Sequence, residues 1–294
     1  MKAVISCISL ITLALGFSCS ALKLRTVNTD LSRNYSDPQA YLNEAADRGD
    51  LVSVMRAVEE KFASVNGKDS YGWTACMYAA RSGHDGLLEY LAAQGADINA
   101  ADPDGRTALM IALDYNRPGT ARYLVAIGAK VTQADSAGGT ALMRAVAGGY
   151  DDMATALLDA GADVNARSGE GKTPLVIALE YRRADMASLV LKNGADPNGG
   201  TPPPLILAIE NRDPGMAVHL LSAGASPDSK DREGRPALVT ALYYQNYNLV
   251  GSLIRRGADP NTRCPDGATP LHYAIMNSHL DQVQVLVRAG ADPN

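Results

Sequence analysis

The sequence predicts an all-α repeat solenoid of short helix–turn–helix units joined by extended, turn-bearing fingers. Two series of short motifs running in one register predict it. The tetrad Thr74-Ala75-Cys76-Met77 returns with first residues Thr107, Thr140, Thr173, Pro203, Pro236 and Thr269, at steps of 33, 33, 33, 30, 33 and 33. The triplet Gly95-Ala96-Asp97 returns at Gly128, Gly161, Gly194, Gly224, Gly257 and Gly290, at the same six steps. A period of this length is one supersecondary unit, and such a unit buries its apolar faces only by stacking on its neighbours.

Residues 1–20 differ from all that follows. Lys2 is the only charge before Lys23; Ala3 to Phe17 is largely apolar, and Ser18, Cys19, Ser20 and Ala21 are small. This is the pattern of a secretory signal peptide, and the run is shorter than the roughly 20 apolar residues of a membrane span. A buried N-terminal helix and a retained signal anchor are the competing readings. The stretch Leu15-Gly16-Phe17-Ser18-Cys19 resembles a bacterial lipoprotein box, with Cys19 as the lipidation candidate; bulky Phe17 and the displaced leucine depart from it. Ordinary cleavage after Ser20 or Ala21 fits as well. Residues 21–37 read as a linker. Asn34-Tyr35-Ser36 is a glycosylation acceptor only in a eukaryotic secretory route.

From residue 38 the units begin. The first is degenerate: Ala45-Ala46-Asp47-Arg48-Gly49-Asp50-Leu51 parallels Ala79 to Asp85 but lacks the Thr start, as a capping repeat does. A complete unit opens with a helix over 74–82. The Thr74 hydroxyl caps its open N–H groups, and Pro174 and Pro270 occupy a first position where a missing N–H costs nothing. Gly83 allows a left-handed turn. A second helix carries Leu87, Leu88 and Leu91 on one face, Gly95 ends it, and a finger turns at Asp102-Pro103-Asp104-Gly105.

The unit is similar to the ankyrin repeat, with its T-P-L-H start and G-A-D-x-N exit. The resemblance covers residues 38–294 as about eight units. Two departures stand out. Asn116, Arg182, Arg212, Gln245 and Ser278 fill the Gly83 position, and Arg and Gln take the left-handed conformation less readily, so looser or differently wound turns are expected there. The 30-residue step leaves only Gly199-Gly200-Thr201-Pro202 before Pro203, so a notch is expected in the finger row, either from drift in a tolerant loop or as a cleft for a protruding partner element.

Composition narrows the function. Hydrophobic residues are 46% and aromatic residues 5%, which suits an Ala- and Leu-rich core; a net charge of −5 argues against a general nucleic-acid binder. No metal-ligand spacing, nucleophile elbow or phosphate loop occurs, so neither a metal nor a cofactor is expected. His84, His219, His272 and His279 fall at scaffold positions; the resemblance implies that His272 bonds backbone between neighbouring fingers. Cys7 and Cys19 belong to the leader. Cys76 replaces a buried leucine, and Cys264 sits in the last finger about six units away, on the order of 50–60 Å, too far for a disulfide. Eight units and a leader leave no catalytic domain, so an enzyme is not expected.

The resemblance implies a concave groove lined by finger tips and by the exposed end of each first helix, and a protein as its occupant. Carried over unit by unit, the finger side gives Tyr71, Trp73, Arg106, Glu170, Lys172, Arg232 and Arg235. The helix side, seven and eight residues after each tetrad start, gives Arg81, Asp114, Tyr115, Glu180, Tyr181, Glu210, Tyr243 and Tyr244. Trp, Tyr and Arg are the residues that interfaces favour; packing between helices with hydroxyls at the rim is the competing reading for the tyrosines. At the other end, Leu280, Val283 and Leu286 have no following unit, so self-association or a covering partner is expected. The leading expectation is a protein-interaction module of an exported protein: periplasmic or lipid-anchored through Cys19 if bacterial, secreted otherwise. An inhibitor or immunity-type protein occluding a secreted enzyme, an envelope scaffold or chaperone, and a cytosolic scaffold with an uncleaved leader fit the same features.

Overall fold

A computed structural model describes residues 37–293. The leader, Cys7, Cys19 and Asn34 lie outside the described residues. Eight helix pairs follow one another. The cap unit is α1 (Pro38–Arg48) and α2 (Leu51–Glu59); unit 1 is α3 (Ala75–Ser82) and α4 (Asp85–Ala93); unit 2 is α5 (Ala108–Asp114) and α6 (Pro118–Ala126); unit 3 is α7 (Ala141–Gly148) and α8 (Asp151–Asp159). Unit 4 is α9 (Pro174–Glu180) and α10 (Ala184–Lys192); unit 5 is α11 (Pro204–Glu210) and α12 (Pro214–Ser222); unit 6 is α13 (Ala237–Tyr243) and α14 (Tyr247–Arg255); unit 7 is α15 (Pro270–Met276) and α16 (Leu280–Arg288). Among the described residues no β-strand forms; isolated bridges such as Ala101–Thr107 close the necks of three fingers. The fold is an all-α repeat solenoid.

The first helices pack on one another from unit 1 to unit 7, more extensively than the second helices do. One residue type permits this. Five residues after each tetrad start stands an alanine: Ala79, Ala112, Ala145, Ala178, Ala208, Ala241 and Ala274, with Ala45 in the cap unit. All eight are fully buried. A methyl side chain lets helices approach to the lower end of the usual ~8–10 Å.

The same alanines close their helices. In every unit the N–H five residues after the alanine donates back to the alanine carbonyl, as in Asp50 to Ala45 (2.9 Å), Arg117 to Ala112 (2.7 Å) and Arg183 to Ala178 (2.8 Å). This six-residue closure requires a left-handed residue between. Gly83 supplies it in α3, and Asn116, Arg182, Arg212, Gln245 and Ser278 supply it with φ between 54° and 61°. The expectation of looser turns at the non-glycine positions is therefore corrected. The closing bond and the packed alanine hold one geometry regardless of the residue, against a cost of roughly 1–2 kcal/mol for a side chain at positive φ.

Helix starts follow the sequence. Thr74, Thr107, Thr140, Thr173 and Thr269 accept the N–H three residues on, while Pro203 and Pro236 offer no side-chain cap. His272 does not reach a neighbouring finger: its Nδ1 lies 2.7 Å from the Thr269 hydroxyl and accepts the Thr269 N–H, closing a capping box within its own helix.

Units are stitched by side chains that reach one unit back or forward. Arg117, Arg183, Asn211 and Asn246 donate to Arg81, Ala147, Leu179 and Ile209 carbonyls of the preceding first helix. Asn66, Asn165, Asn198 and Asn261 each accept an N–H and donate to a carbonyl at the next second-helix exit, as Asn66 does with Asp97 (2.7 Å) and Gly95 (3.1 Å). Finger tips bond in series: Ser136 N–H to Asp104 O (2.8 Å), Gly169 N–H to Ala137 O (2.6 Å) and Thr201 N–H to Gly171 O (3.1 Å). The last contact shows what the 30-residue step does. The short finger loses its tip, Pro202 is buried, and the stack of α9 on α11 stays continuous beneath.

At α15 and α16, Leu286 is buried and Val283 half-buried, because both face their own unit and the one before. Leu280 is exposed as expected, but the apolar side chains exposed beside it are Ile275, Met276 and Val287 in place of Val283 and Leu286.

Close finger stacking sets a testable asymmetry. A Cβ on Gly138 (φ 75°) would stand 3.0 Å from the Arg167 carbonyl oxygen and the Gly169 nitrogen, whereas one on Gly161 (φ 88°) would meet nothing within 4 Å. Gly161→Ala should lose about 1 kcal/mol of unfolding free energy from backbone conformation alone, and Gly138→Ala clearly more. Urea denaturation of the two variants checks the order.

Candidate functional site

Four fingers are built on one acidic residue each. Asp69, Asp102, Asp135 and Asp231 each stand five residues before a tetrad start. One carboxylate oxygen accepts two backbone N–H groups of its own turn: Tyr71 and Trp73 for Asp69, Asp104 and Arg106 for Asp102, Ala137 and Gly139 for Asp135, Glu233 and Arg235 for Asp231. A short polar side chain closing its own turn fixes a finger without further contacts. The second oxygen faces inward, and a buried carboxylate is costly unless paired. Asp102 is met by Arg106 (2.8 Å) and by the Trp73 indole N–H (3.2 Å); Asp231 by Arg235 (2.6 Å) and the Thr240 hydroxyl (3.3 Å); Asp69 by the Tyr78 hydroxyl (2.7 Å). Asp135 is held by Arg144 (2.5 Å), which also grips Asp114 (2.8 Å). Ser168 takes the position in unit 4. In unit 7 it is Cys264, which is buried rather than lying loose in a turn; burial pushes its thiol up, and pushes Cys76 up to about 12.

This scaffold absorbs several residues expected to contact a partner. Trp73 is only 8% exposed, stacked edge-on against Tyr78 (5.1 Å) and bonded to Asp102, so it forms floor rather than a projecting anchor. Arg106 and Arg235 hold their own fingers, and Arg235 lies 4.5 Å over the Tyr243 ring. Arg81 pairs with Asp47 of the cap unit (2.6 Å), and Lys172 bridges Glu180 (3.0 Å) and Glu170 (3.2 Å). Asp114 is tied to Arg144. Tyr244 is half-buried, with its ring 5.2 Å from that of Tyr243, so packing wins at this position. Glu210 is half-buried and forms no ion pair among the described residues; burial, then the Asp231 charge, raises its carboxyl. Arg232 is exposed.

What remains accessible is aromatic. Tyr71 (74%), Tyr181 (60%), Tyr243 (55%) and Tyr115 (48%) are exposed. Among the described residues these are the only exposed tyrosines, and every one falls at a groove position. Five expected residues converge in a cleft of about 410 Å³ between units 1 and 2: Tyr71, Trp73, Arg81, Arg106 and Tyr115, joined by Tyr78, Asp102, Pro103 and Asp104. The Arg81 guanidinium lies 4.9, 5.6 and 5.9 Å from the Tyr78, Trp73 and Tyr115 rings. Reading by position had found the walls but not the finger carboxylates, although Asp69, Asp102, Asp135 and Asp231 keep the repeat register.

Ionisation follows from these contacts. Burial raises Asp135 and Asp47, but hydrogen bonds from Arg144 and the Gly139 N–H, and from Arg81 and Ser82, outweigh it and hold both below the usual range. Asp114 goes the other way: burial raises it despite Arg144. A lowered carboxyl contributes stability in full above the unfolded value of about 3.9, and loses it as pH falls through the folded value; Asp114 partly offsets this. The wild-type Tm should fall as pH drops from about 5 toward 3, and Asp135→Asn should flatten that fall while lowering the Tm at pH 7, as thermal melts across the range would show.

A family model described as Ankyrin repeats (3 copies) matches residues 13–102, 42–135, 100–168, 133–201 and 205–294. No curated protein matches the chain. Among the described residues no group of three or more His, Cys, Asp or Glu side chains is placed to hold a metal ion, and no helix is long and apolar enough to cross a membrane. With the family model matching nearly the whole length and the helix pairs repeating in its register, the chain belongs to the ankyrin-repeat family.

Proposed function

We propose that the chain is a protein-binding module that seats its partner on the groove formed by finger tips and first-helix ends. The observation that carries this reading is the sorting of tyrosines: all four exposed ones lie in the groove, and the eight others among the described residues are buried or half-buried. A tyrosine ring left in water has no folding benefit, yet it gives large contact area at low entropic cost to a partner. Arg81, Arg106, Lys172 and Arg235 beside these rings are already fixed by ion pairs within the chain, so a partner meets a largely preorganised surface.

Tyr71→Ala with Tyr115→Ala should weaken partner capture by about 2 kcal/mol, some thirtyfold, at unchanged Tm. Affinity capture from the native compartment with wild type and the double variant, followed by titration of the captured protein, measures this. A fall in Tm of many degrees would make these rings packing residues.

The leader supports an exported module, with Cys19 as the attachment point for lipid. Intact mass of the mature chain separates the outcomes: a diacylated or triacylated N-terminal Cys19, an unmodified N-terminus at Ala21 or Leu22, or an uncleaved Met1 form that would end the export reading.

A further inference from the structure

At the turns between paired helices, beyond the tyrosine cleft of units 1 and 2, a cleft of about 280 Å³ opens between units 4 and 5. Its floor is apolar, from Leu179, Ala208 and Met216, and its lining includes Arg182, Arg183 and Arg212. The surrounding chain is acidic: of the basic residues, Lys2, Lys23, Arg25 and Arg33 precede Asp37, against Asp30 alone of the acidic ones, so the solenoid is more negative than the −5 of the whole. Three guanidinium groups on one cleft therefore run against the local composition.

Two of them have no partner. Among the described residues, neither Arg182 nor Arg212 forms an ion pair or a side-chain hydrogen bond, and both are exposed. Both occupy the left-handed position of their turns, at φ 54° and 55°, where Gly83 and Gly149 stand in units 1 and 3. The fold gains nothing from arginine there and bears its strain twice. Arg183 donates through one Nη to the Ala147 carbonyl (2.9 Å) while its buried Nε meets no acceptor. It also precedes the first turn of the nine-residue α10, whose N–H groups receive no side-chain cap. Asp213 lines the cleft too, but its carboxylate is engaged in capping the Met216 N–H (2.9 Å); Asp185 lies in the first turn of α10.

We infer that this cleft is a second docking site, for a glutamate side chain in an acidic segment of a protein partner. A glutamate stem would lie on Leu179, Ala208 and Met216, and its carboxylate would meet the Arg182 and Arg212 guanidinium groups, whose planar donor pairs match it in bidentate fashion. A bare phosphate or a lipid headgroup would use the charge but leave the apolar floor unfilled. The site adjoins the helix-end row of the groove, since Arg182 follows Tyr181, but it shares no lining residue with the tyrosine cleft between units 1 and 2.

The test uses the full chain and a fluorescein-labelled peptide of alternating Glu and Ala, followed by fluorescence anisotropy at low salt. The peptide should bind wild type, and Arg182→Gly with Arg212→Gly should weaken it at least tenfold. That variant should also melt higher than wild type, because glycine relieves both positive-φ positions, so lost binding cannot be lost folding. Tyr71→Ala with Tyr115→Ala should bind the peptide as wild type does. Absence of binding to wild type, equal binding by the arginine variant, loss in the tyrosine variant, or displacement of the peptide by millimolar inorganic phosphate or by phosphatidylglycerol vesicles as readily as by unlabelled peptide would each overturn the assignment.

Discussion

One alanine per unit sets the geometry on which everything else rests. Its small, fully buried methyl group lets stacked first helices approach closely, and its carbonyl receives the bond that ends its own helix. Both roles act at once in Ala45, Ala79, Ala112, Ala145, Ala178, Ala208, Ala241 and Ala274. A larger side chain would push the first helices apart and spread the fingers whose tips now bond in series. First helices pack more extensively than second helices, so the fingers that precede them are held at a regular spacing along the stack.

On that scaffold, the rows that stabilise the stack differ from the rows to which the proposed function assigns recognition. Outside unit 5 the residue ten after the tetrad start reaches back to the preceding unit, as Arg117, Arg183 and Asn246 do, and in four fingers an aspartate locks the turn. The rows seven and eight after the start, with the finger tip, are left to face outward. Four of the basic groups there are not free even so. Arg81, Arg106, Lys172 and Arg235 all answer carboxylates of the chain, which fixes their geometry and lowers the entropy that binding would otherwise remove.

The repeat itself was legible because it is written in backbone requirements: a hydroxyl or proline at a helix start, a glycine at its exit, apolar residues at helical spacing. What escaped were places where tertiary packing decides between equivalent readings. Trp73 and Tyr71 stand two residues apart on one finger, and only the approach of Asp102 from the next finger buries the first and leaves the second in water. Tyr181 and Tyr244 hold the same register position, but an adjacent Tyr243 takes the exposed site in unit 6 and turns Tyr244 inward. Propensity likewise suggested that Arg182, Arg212 and Gln245 would loosen their turns. Propensity is a weak preference, and a closing hydrogen bond anchored on a packed alanine overrides it.

The accessible groove is not uniform along the solenoid. Units 1 and 2 gather Tyr71, Arg81, Arg106 and Tyr115 into one cleft, and units 4 to 6 present Tyr181, Glu210 and Tyr243. Between them unit 3 offers Ala147 and Gly148 at the helix positions and Ser136 and Ala137 at the finger tip, and its one long side chain, Arg144, is committed to Asp114 and Asp135. On the proposed function, a ligand spanning the groove would meet two sets of anchors separated by a stretch that mostly backbone and small side chains line. The second set would then act at an effective concentration fixed by the rigid stack between them. The spacing of those two sets of side chains is held by the same buried alanines that hold the fold.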